Sequence, residues 1–402
     1  MNSLWQKQEQ LPKFPQLQGD ISTDVLVIGG GMAGLLTAYC LQQKGIDAVV
    51  VEKERIFSGT TAGTTAKITA QHGFCYQKII KDYSEEYGKL YYAAHSLAVR
   101  QIKDLCRQAG CPVEEKANFV YSQDPRKVEK EMDALQKVGA DPIYRDHVSV
   151  PAEHAGAVGL EAQGQFNPFA LAQFLVKPLK IYEKTKVTRM IGTTAVTPQG
   201  KIHGKSIVIA THFPFLNKHG SYFLKLYQHR SYLLALENAP LMDAMYVDEA
   251  KTGFSFSSFD GYLLLGGGGH RTGKRGGGYG VLRDFSQQHY SNAREVFHWA
   301  AQDTMSLDGI AYIGNYSART PQLYVAAGFN KWGMTSAMVS ADLLCASIAG
   351  ESREYAPVFS PSRSILKGQL AANIFETASN FLIPTTRRCP HLGCALKYNK
   401  AE

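Results

Sequence analysis

Residues 24–52 carry a buried-strand pattern, a glycine turn, a helical pattern and a second strand ending in an acid, an order that few folds accommodate. Asp24 to Ile28 (Asp-Val-Leu-Val-Ile) is a run of the kind buried on both faces of a parallel sheet. Gly29-Gly-Gly-Met-Ala-Gly34 follows, then Leu35 to Lys44 with apolar residues at helical spacing and Gly45 as a stop. Ala48 to Glu52 is the second strand, so the whole forms one βαβ unit. Gly29 permits the tight turn, Gly31 lets the backbone approach a diphosphate at the helix N-terminus, and Gly34 lets helix and strand pack closely. Met32 and Ala33 belong to the same binding turn. Glu52, eighteen residues past Gly34, is placed to accept hydrogen bonds from ribose hydroxyls, which disfavours a 2′-phosphate and hence NADP.

Beyond this unit, helical patterns cover roughly Glu85 to Ala109 and Pro125 to Val138, and apolar strands return at Ser206 to Ala210 and Leu323 to Ala326. Between the last two, residues 221–265 read as strands, clearest at Tyr232 to Leu236 and Tyr262 to Leu265. Gly266 to Gly269 and Gly276 to Gly278 flank a stretch too glycine-rich for regular structure. A helix runs from about Thr335 to Ala349, and residues 1–22 form a polar lead-in that Pro12 and Pro15 keep from being helical. A nucleotide-binding portion assembled from 1–95, 150–215 and 300–350 is expected, with a substrate portion inserted as 96–149 and 216–299. Residues 351–384 form a linker with a helical stretch around Ile365 to Ala378, and 385–402 carry a separate cysteine motif.

The net charge of +8 comes from scattered Lys and Arg, with clusters only at Arg271–Arg275 and Arg387-Arg388, and so suits anionic small ligands better than nucleic acid. No run of about 18 apolar residues predicts a membrane span, and the polar N-terminus lacks a signal-peptide core. Five of the seven cysteines are dispersed, which fits a reducing cytoplasm.

The segment Lys53 to His72 turns small, hydroxylated and glycine-bearing. Here the chain resembles the FAD-dependent oxidoreductases of the D-amino-acid oxidase and glycine oxidase family, in which such a segment runs beneath the flavin. Lys205-Ser-Ile-Val-Ile-Ala-Thr-His212 is similar to the family's internal strand, with His212 where relatives carry glycine. Asp308 to Gly314 and Leu323 to Gly333 resemble the pair that closes over the flavin ring, a feature an NAD dehydrogenase would not need. The resemblance implies an α/β protein: a discontinuous Rossmann-like FAD-binding domain with an inserted α+β substrate domain dominated by an antiparallel sheet. It further implies FAD contacts from Lys53, Thr60, Thr61, Thr65, Ala66, Lys67, Thr69, Val187, Ala210, Thr211, Gly314, Gly328, Asn330, Lys331, Trp332, Gly333 and Met334.

Since the isoalloxazine carries the hard chemistry, residues beside the flavin segments are the catalytic candidates. Lys331 either stabilises reduced flavin or faces solvent, and His72 is either a base or a structural histidine. Arg230, with Tyr232, is a candidate grip for a substrate carboxylate, and His270 and Arg271 are further candidates or solvated loop residues.

Cys389-Pro-His-Leu-Gly-Cys394 resembles the first half of a Rieske [2Fe–2S] site, C-x-H-x-G-C, with Cys389 and His391 as the implied ligands. Only eight residues follow Cys394, none Cys or His, so a [2Fe–2S] cluster is expected only in a longer, complete chain. Flavoproteins with a C-terminal Rieske module form a subgroup that the segments 64–73 and 329–336 resemble. The expected activity is dehydrogenation of an amine or amino-acid-like small molecule by hydride transfer to the flavin, with electrons passed to the iron–sulfur centre as redox partner. The alternatives are an oxygen-using oxidase and a non-catalytic flavin protein.

Overall fold

The computed structural model describes residues 3–216, 220–250, 253–363 and 370–374. Two sheets organise them. In the first, the strands run Tyr312–Asn315, Leu323–Ala327, Gly200–Ile209, Ile21–Ile28, Ala48–Val51 and Lys180–Tyr182 across the sheet. The last five are mutually parallel, the Tyr312–Asn315 edge is antiparallel, and a hairpin of Arg189–Ile191 and Thr194–Thr197 adds antiparallel to Gly200–Ile209. Residues 48–51 are buried throughout, as an apolar run in a doubly covered parallel sheet requires. The Met32–Gln43 and Gly333–Ile348 helices pack together on this sheet, and Glu85–Ala109 packs on the latter. Ser84 caps that long helix by accepting from the Tyr87 N–H, and Gly110 ends it in the left-handed region at φ +67°.

The second sheet runs Arg294–Ser306, Leu226–Glu237, Tyr262–Arg271, Ser255–Phe259, Met245–Asp248, Val113–Ser122, Gly156–Phe166 and Lys67–Ile68. Every pairing is antiparallel except Met245–Asp248 with Val113–Ser122. The architecture is therefore the mixed α/β arrangement expected, a discontinuous Rossmann-type region with an inserted, mainly antiparallel sheet. The Gly156–Phe166 strand falls in the span 150–215 assigned to the nucleotide portion, yet pairs in the second sheet.

Three local expectations are corrected. Gly266 to Gly269 lie inside the Tyr262–Arg271 strand, not in a loop. Glycine is needed there because neighbouring groups lie against the strand: a Cβ at Gly266 would meet Ser255 Oγ at 2.5 Å and one at Gly269 would meet His229 Cε1 at 2.9 Å. Residues 221–265 do not begin as strand, since Tyr222–Lys225 is a short helix. The polar lead-in holds the Leu4–Gln8 helix, whose fully buried Trp5 donates its indole N–H to the Thr64 carbonyl at 2.7 Å. Only residues 370–374 of the stretch Ile365 to Ala378 are described, and they are helical. Among the described residues no helix is long and apolar enough to cross a membrane.

Candidate active site

A cavity of about 1640 Å³ lies at the carboxyl ends of the first sheet's central strands and against the second sheet. Single-ligand pockets run to about 1,000 Å³, so this one has room for a dinucleotide and a further small molecule.

At one end the glycine turn performs as its spacing predicts. Gly29 has φ +118°, and a Cβ there would stand 2.5 Å from the Ala210 carbonyl oxygen. A Cβ on Gly34 would stand 1.9 Å from the Gly29 carbonyl oxygen, so Gly34 serves packing and does not itself line the cavity. Gly31 is the helix N-cap with no capping side chain, and only the Thr61 hydroxyl, 3.2 Å from the Met32 nitrogen, approaches the first turn. Those amides open on the cavity and present the positive end of the helix. Glu52 receives the Gly30 N–H at 2.8 Å on one oxygen and the Glu54 N–H at 3.0 Å on the other. A carboxylate accepts about four hydrogen bonds, which leaves acceptor capacity on both oxygens. Lys53, Thr60, Thr61, Thr65, Val187, Ala210 and Thr211 line the same end.

The middle of the cavity is bounded by residues 64–73. Gln71 anchors this segment to the second sheet, donating to the Val158 carbonyl at 2.8 Å and accepting from Asn118 at 2.9 Å. Ala66 has φ +56° and is buried behind the lining, as is Thr69. Lys67 lines the cavity, and burial draws its ammonium down to about 8. His72 is fixed at both nitrogens: Nδ1 lies 2.6 Å from the Tyr91 hydroxyl, and Nε2 lies 2.9 Å from the Thr69 carbonyl oxygen. The carbonyl can only accept, so Nε2 carries the proton and Nδ1 accepts from Tyr91. Burial brings the ring down to about 3, so it is neutral, and it stacks on Trp332 at 5.0 Å. This geometry suits a support for Trp332 and leaves no free nitrogen for a base.

Across from it, Gly328 to Met334 form the closing turn, and all seven residues line the cavity. Asn330 and Lys331 are consecutive left-handed residues, φ +52° and +72°. Asn330 holds the turn, accepting the Ser306 N–H at 2.8 Å and donating to the Gly328 carbonyl at 2.6 Å. Lys331 opens into the cavity, and burial lowers its ammonium while Asp303 opposes that shift. His212 also adopts the left-handed region, φ +67°, a conformation glycine takes without strain and the one the family resemblance anticipates there.

The second sheet supplies the remaining wall through Tyr227, His229, Ser231, Tyr232, Asp303 and Met305. Arg230 is not among the lining residues: successive side chains of a strand face opposite ways, and Arg230 is exposed between the lining residues His229 and Ser231. The carboxylate grip expected of it therefore has no support in the geometry. His270 and Arg271 are also outside the lining, His270 Nε2 lying 3.0 Å from the Tyr232 hydroxyl and Arg271 donating to Asn373 at 2.8 Å. Gly314 stands apart from the cavity against Pro361. Asp303 and His229 escaped the sequence reading because no motif marks them; the register that puts them side by side across two strands is a tertiary fact. Cys389, His391 and Cys394 lie outside the described residues, and among the described residues no group of three or more His, Cys, Asp or Glu is arranged to hold a metal.

A family described as FAD dependent oxidoreductase (DAO) matches residues 24–347. The Bacillus subtilis protein YhfW, provisionally named a Rieske 2Fe-2S iron-sulfur protein, is 30% identical over 99% of this chain and 91% of its own length. Glycine oxidase from Geobacillus kaustophilus superposes with a TM-score of 0.71 at 18% identity, covering 86% of this chain and 99% of its own. L-proline dehydrogenase from P. horikoshii gives a TM-score of 0.69 at 18% identity, over 87% and 98% respectively.

Proposed function

We infer the function from the premise that this chain belongs to the FAD dependent oxidoreductase family, and propose that it oxidises an amine or amino-acid-like small molecule at a carbon–nitrogen bond. The observation that carries this is the cavity itself, whose glycine turn, uncapped helix N-terminus and partly free Glu52 carboxylate meet the needs of a dinucleotide. The donor set fits FAD. Gly29, Gly31 and the amides of Met32 and Ala33 would receive the diphosphate, Glu52 the ribose, and residues 60–67 and 328–334 the ring. Once bound, FAD supplies the two-electron acceptor for a hydride from the substrate. The chain's own part is to orient and to exclude water. Trp332, backed by the locked His72, and the Tyr227–Tyr232 wall enclose the space where the reacting carbon would lie. Lys331 and Lys67 place positive charge beside that space, which favours anionic groups there.

Oxygen is the acceptor in the first reading, as in an oxidase. A second reading passes electrons to a Rieske-type centre in the longer protein, and two observations favour it: the Cys389–Cys394 motif and the name of the B. subtilis relative. Asn373, near the described C-terminal end, donates to the Leu224 carbonyl at 2.8 Å and accepts from Arg271, whose guanidinium lies 4.4 Å over Tyr227 of the cavity wall. Residues 370–374 thus lie against the outside of the cavity wall.

The test is the visible spectrum of the purified protein, followed by anaerobic addition of amines and amino acids. Bound oxidised flavin that bleaches with such a donor is expected, with hydrogen peroxide formed on readmitting air under the first reading. Bleaching that persists when air is readmitted and is reversed only by an added one-electron acceptor moves the assignment to the second. Protein that never takes up flavin, or flavin that no amine bleaches, refutes the proposal.

A further inference from the structure

Asp303 is a carboxyl that the fold brings to the cavity and that has no hydrogen bond or ion pair among the described residues. Its strand, Arg294–Ser306, is the edge of the second sheet, and its neighbour Gln302 faces solvent while Asp303 lines the cavity. The closing turn bonds this strand at Thr304 and Ser306, the His212 ring reaches the Gln302 backbone, and two further elements pack along it. The Leu226–Glu237 strand sets His229 directly across from Asp303. The Thr60–Gly63 turn meets its other side, where the Thr60 hydroxyl donates to the Gln302 carbonyl at 3.1 Å, and it carries no titratable group. Lys331, from the closing turn, feels the Asp303 charge, but among the described residues no hydrogen bond or ion pair holds either group. The contrast with other acids of the molecule is sharp. Asp308 is matched by Arg363, Glu131 takes two backbone N–H groups, and Glu183 caps residues 14 and 56. Asp303 is half-buried and faces the cavity, so a cationic ligand there could supply the counter-charge that the protein's other acids receive from internal partners.

The chemistry of the proposed reaction calls for such a group. An amine arrives at neutral pH as an ammonium ion, and an ammonium nitrogen has no lone pair with which to form the C=N bond as hydride leaves the neighbouring carbon. A base must take that proton. His72 is fixed at both nitrogens, and Lys67 and Lys331 repel a cation when charged.

We propose that Asp303 binds the ammonium group of the substrate and accepts its proton before hydride departs. The step balances: the N–H bond of the ammonium breaks, an O–H bond forms on the Asp303 carboxylate, and the electron pair left on nitrogen becomes the second bond of the C=N product. The carbon loses two electrons to the flavin. This inference rests on the amine-oxidising reading and specifies its substrate as one that enters protonated on nitrogen. Burial holds the carboxyl up to about 6 and the Lys331 charge moderates that rise, so Asp303 is ionised in the resting site at neutral pH and close enough in affinity to be protonated by an ammonium ion.

The experiment uses the full chain loaded with FAD and two shape-matched probes with no oxidisable C–H beside the charge. These are tert-butylammonium and pivalate, with affinity read by calorimetry. Wild type binds both; Asp303→Asn weakens tert-butylammonium at least tenfold and leaves pivalate unchanged or tighter. Asp303→Glu restores part of the loss, and an unchanged flavin spectrum shows that each variant is folded. With any donor that bleaches the flavin, Asp303→Asn slows anaerobic bleaching at pH 7 at least a hundredfold, and the rate recovers as pH approaches the donor's own pKa. Failure of wild type to bind tert-butylammonium, equal loss of both probes, or bleaching by Asp303→Asn at the wild-type rate at pH 7 overturns the inference. Failure of the wider reading is separate, since then no amine bleaches the wild-type flavin at all.

Discussion

Gly31 and Gly34 look equivalent in the motif, yet the structure gives them different duties, and alanine at each position separates folding from cofactor binding. At Gly34 the added Cβ would stand 1.9 Å from the Gly29 carbonyl oxygen. An ordinary carbon–oxygen contact is about 3.3 Å, so the helix would have to withdraw from its strand by roughly 1.4 Å. Overpacking of that size costs about 3 kcal/mol or more, because the displaced atoms are backbone and cannot swing aside. At Gly31 the Cβ meets only the Thr61 hydroxyl, at 3.2 Å, and the backbone φ of −85° suits any residue. Folding should change by about 1 kcal/mol or less, the ordinary penalty for alanine at a helix N-cap. The new methyl, however, occupies the approach to the Met32 and Ala33 amides. Losing one hydrogen bond to a charged diphosphate costs about 1.5–3 kcal/mol, or roughly 10- to 100-fold in affinity. Thermal melts of the apoprotein and FAD titration followed by flavin fluorescence read the two effects independently. Gly31→Ala should melt like wild type and bind FAD at least tenfold more weakly, while Gly34→Ala should lose both. Wild-type FAD affinity in Gly31→Ala, or an undisturbed melt in Gly34→Ala, would refute the division of labour.

Two further outcomes follow from buried titratable groups. Burial alone would raise the Asp308 carboxyl, but two bonds from Arg363, one from Tyr83 and the Ile310 N–H bring it down to about 2. A folded-state value below the ordinary 3.8 means that stability is complete above about pH 4 and is lost as pH falls toward 2, by about 2 kcal/mol for this group. Unfolding free energies at pH 5 and pH 2.5 should therefore differ by about that much less in Asp308→Asn than in wild type. At pH 7, Arg363→Met should cost about 3–5 kcal/mol, because it strands a buried carboxylate. For His72, held near 3, the ring Cε1 proton resonance should show no titration between pH 5 and 8, and a midpoint near 6.5 would show that the ring is free to act as a base.

The first sheet was legible because each of its central strands is a local apolar run whose burial on two faces leaves a pattern in the sequence, as at 24–28, 206–210 and 323–326. The extent of the Glu85–Ala109 helix was legible from its amphipathic pattern, and the structure adds the caps at Ser84 and Gly110. The second sheet was less so. Its glycines at 266–269 mimic a loop by composition, and only the side chains of Ser255 and His229 lying over them explain the choice. Arg230 was a reasonable carboxylate grip by residue type, but which face of a strand a residue occupies depends on register and on the irregularity between Arg230 and Tyr232. Asp303 had no local signature, because its interest comes from what does not surround it.

His72 and Asp303 line the same cavity, and burial drives each away from its ordinary value toward the neutral form. For the histidine this means deprotonation down to about pH 3, with the neutral ring then fully used by Tyr91 and the Thr69 carbonyl. For the aspartate it means a proton affinity raised to about 6, with no hydrogen bond among the described residues to lock either state. The same desolvation thus fixes one residue as scaffold and leaves the other able to exchange a proton near neutral pH. The two differ in hydrogen bonding and in exposure: two neutral bonds satisfy the buried imidazole, whereas the half-buried carboxylate has Lys331 in its field and no hydrogen-bond partner among the described residues. If a proton is taken from substrate in this cavity, the environment of Asp303 permits it where that of His72 does not, and the lower limb of the pH–rate profile should respond to Asp303→Asn and not follow the His72 ring.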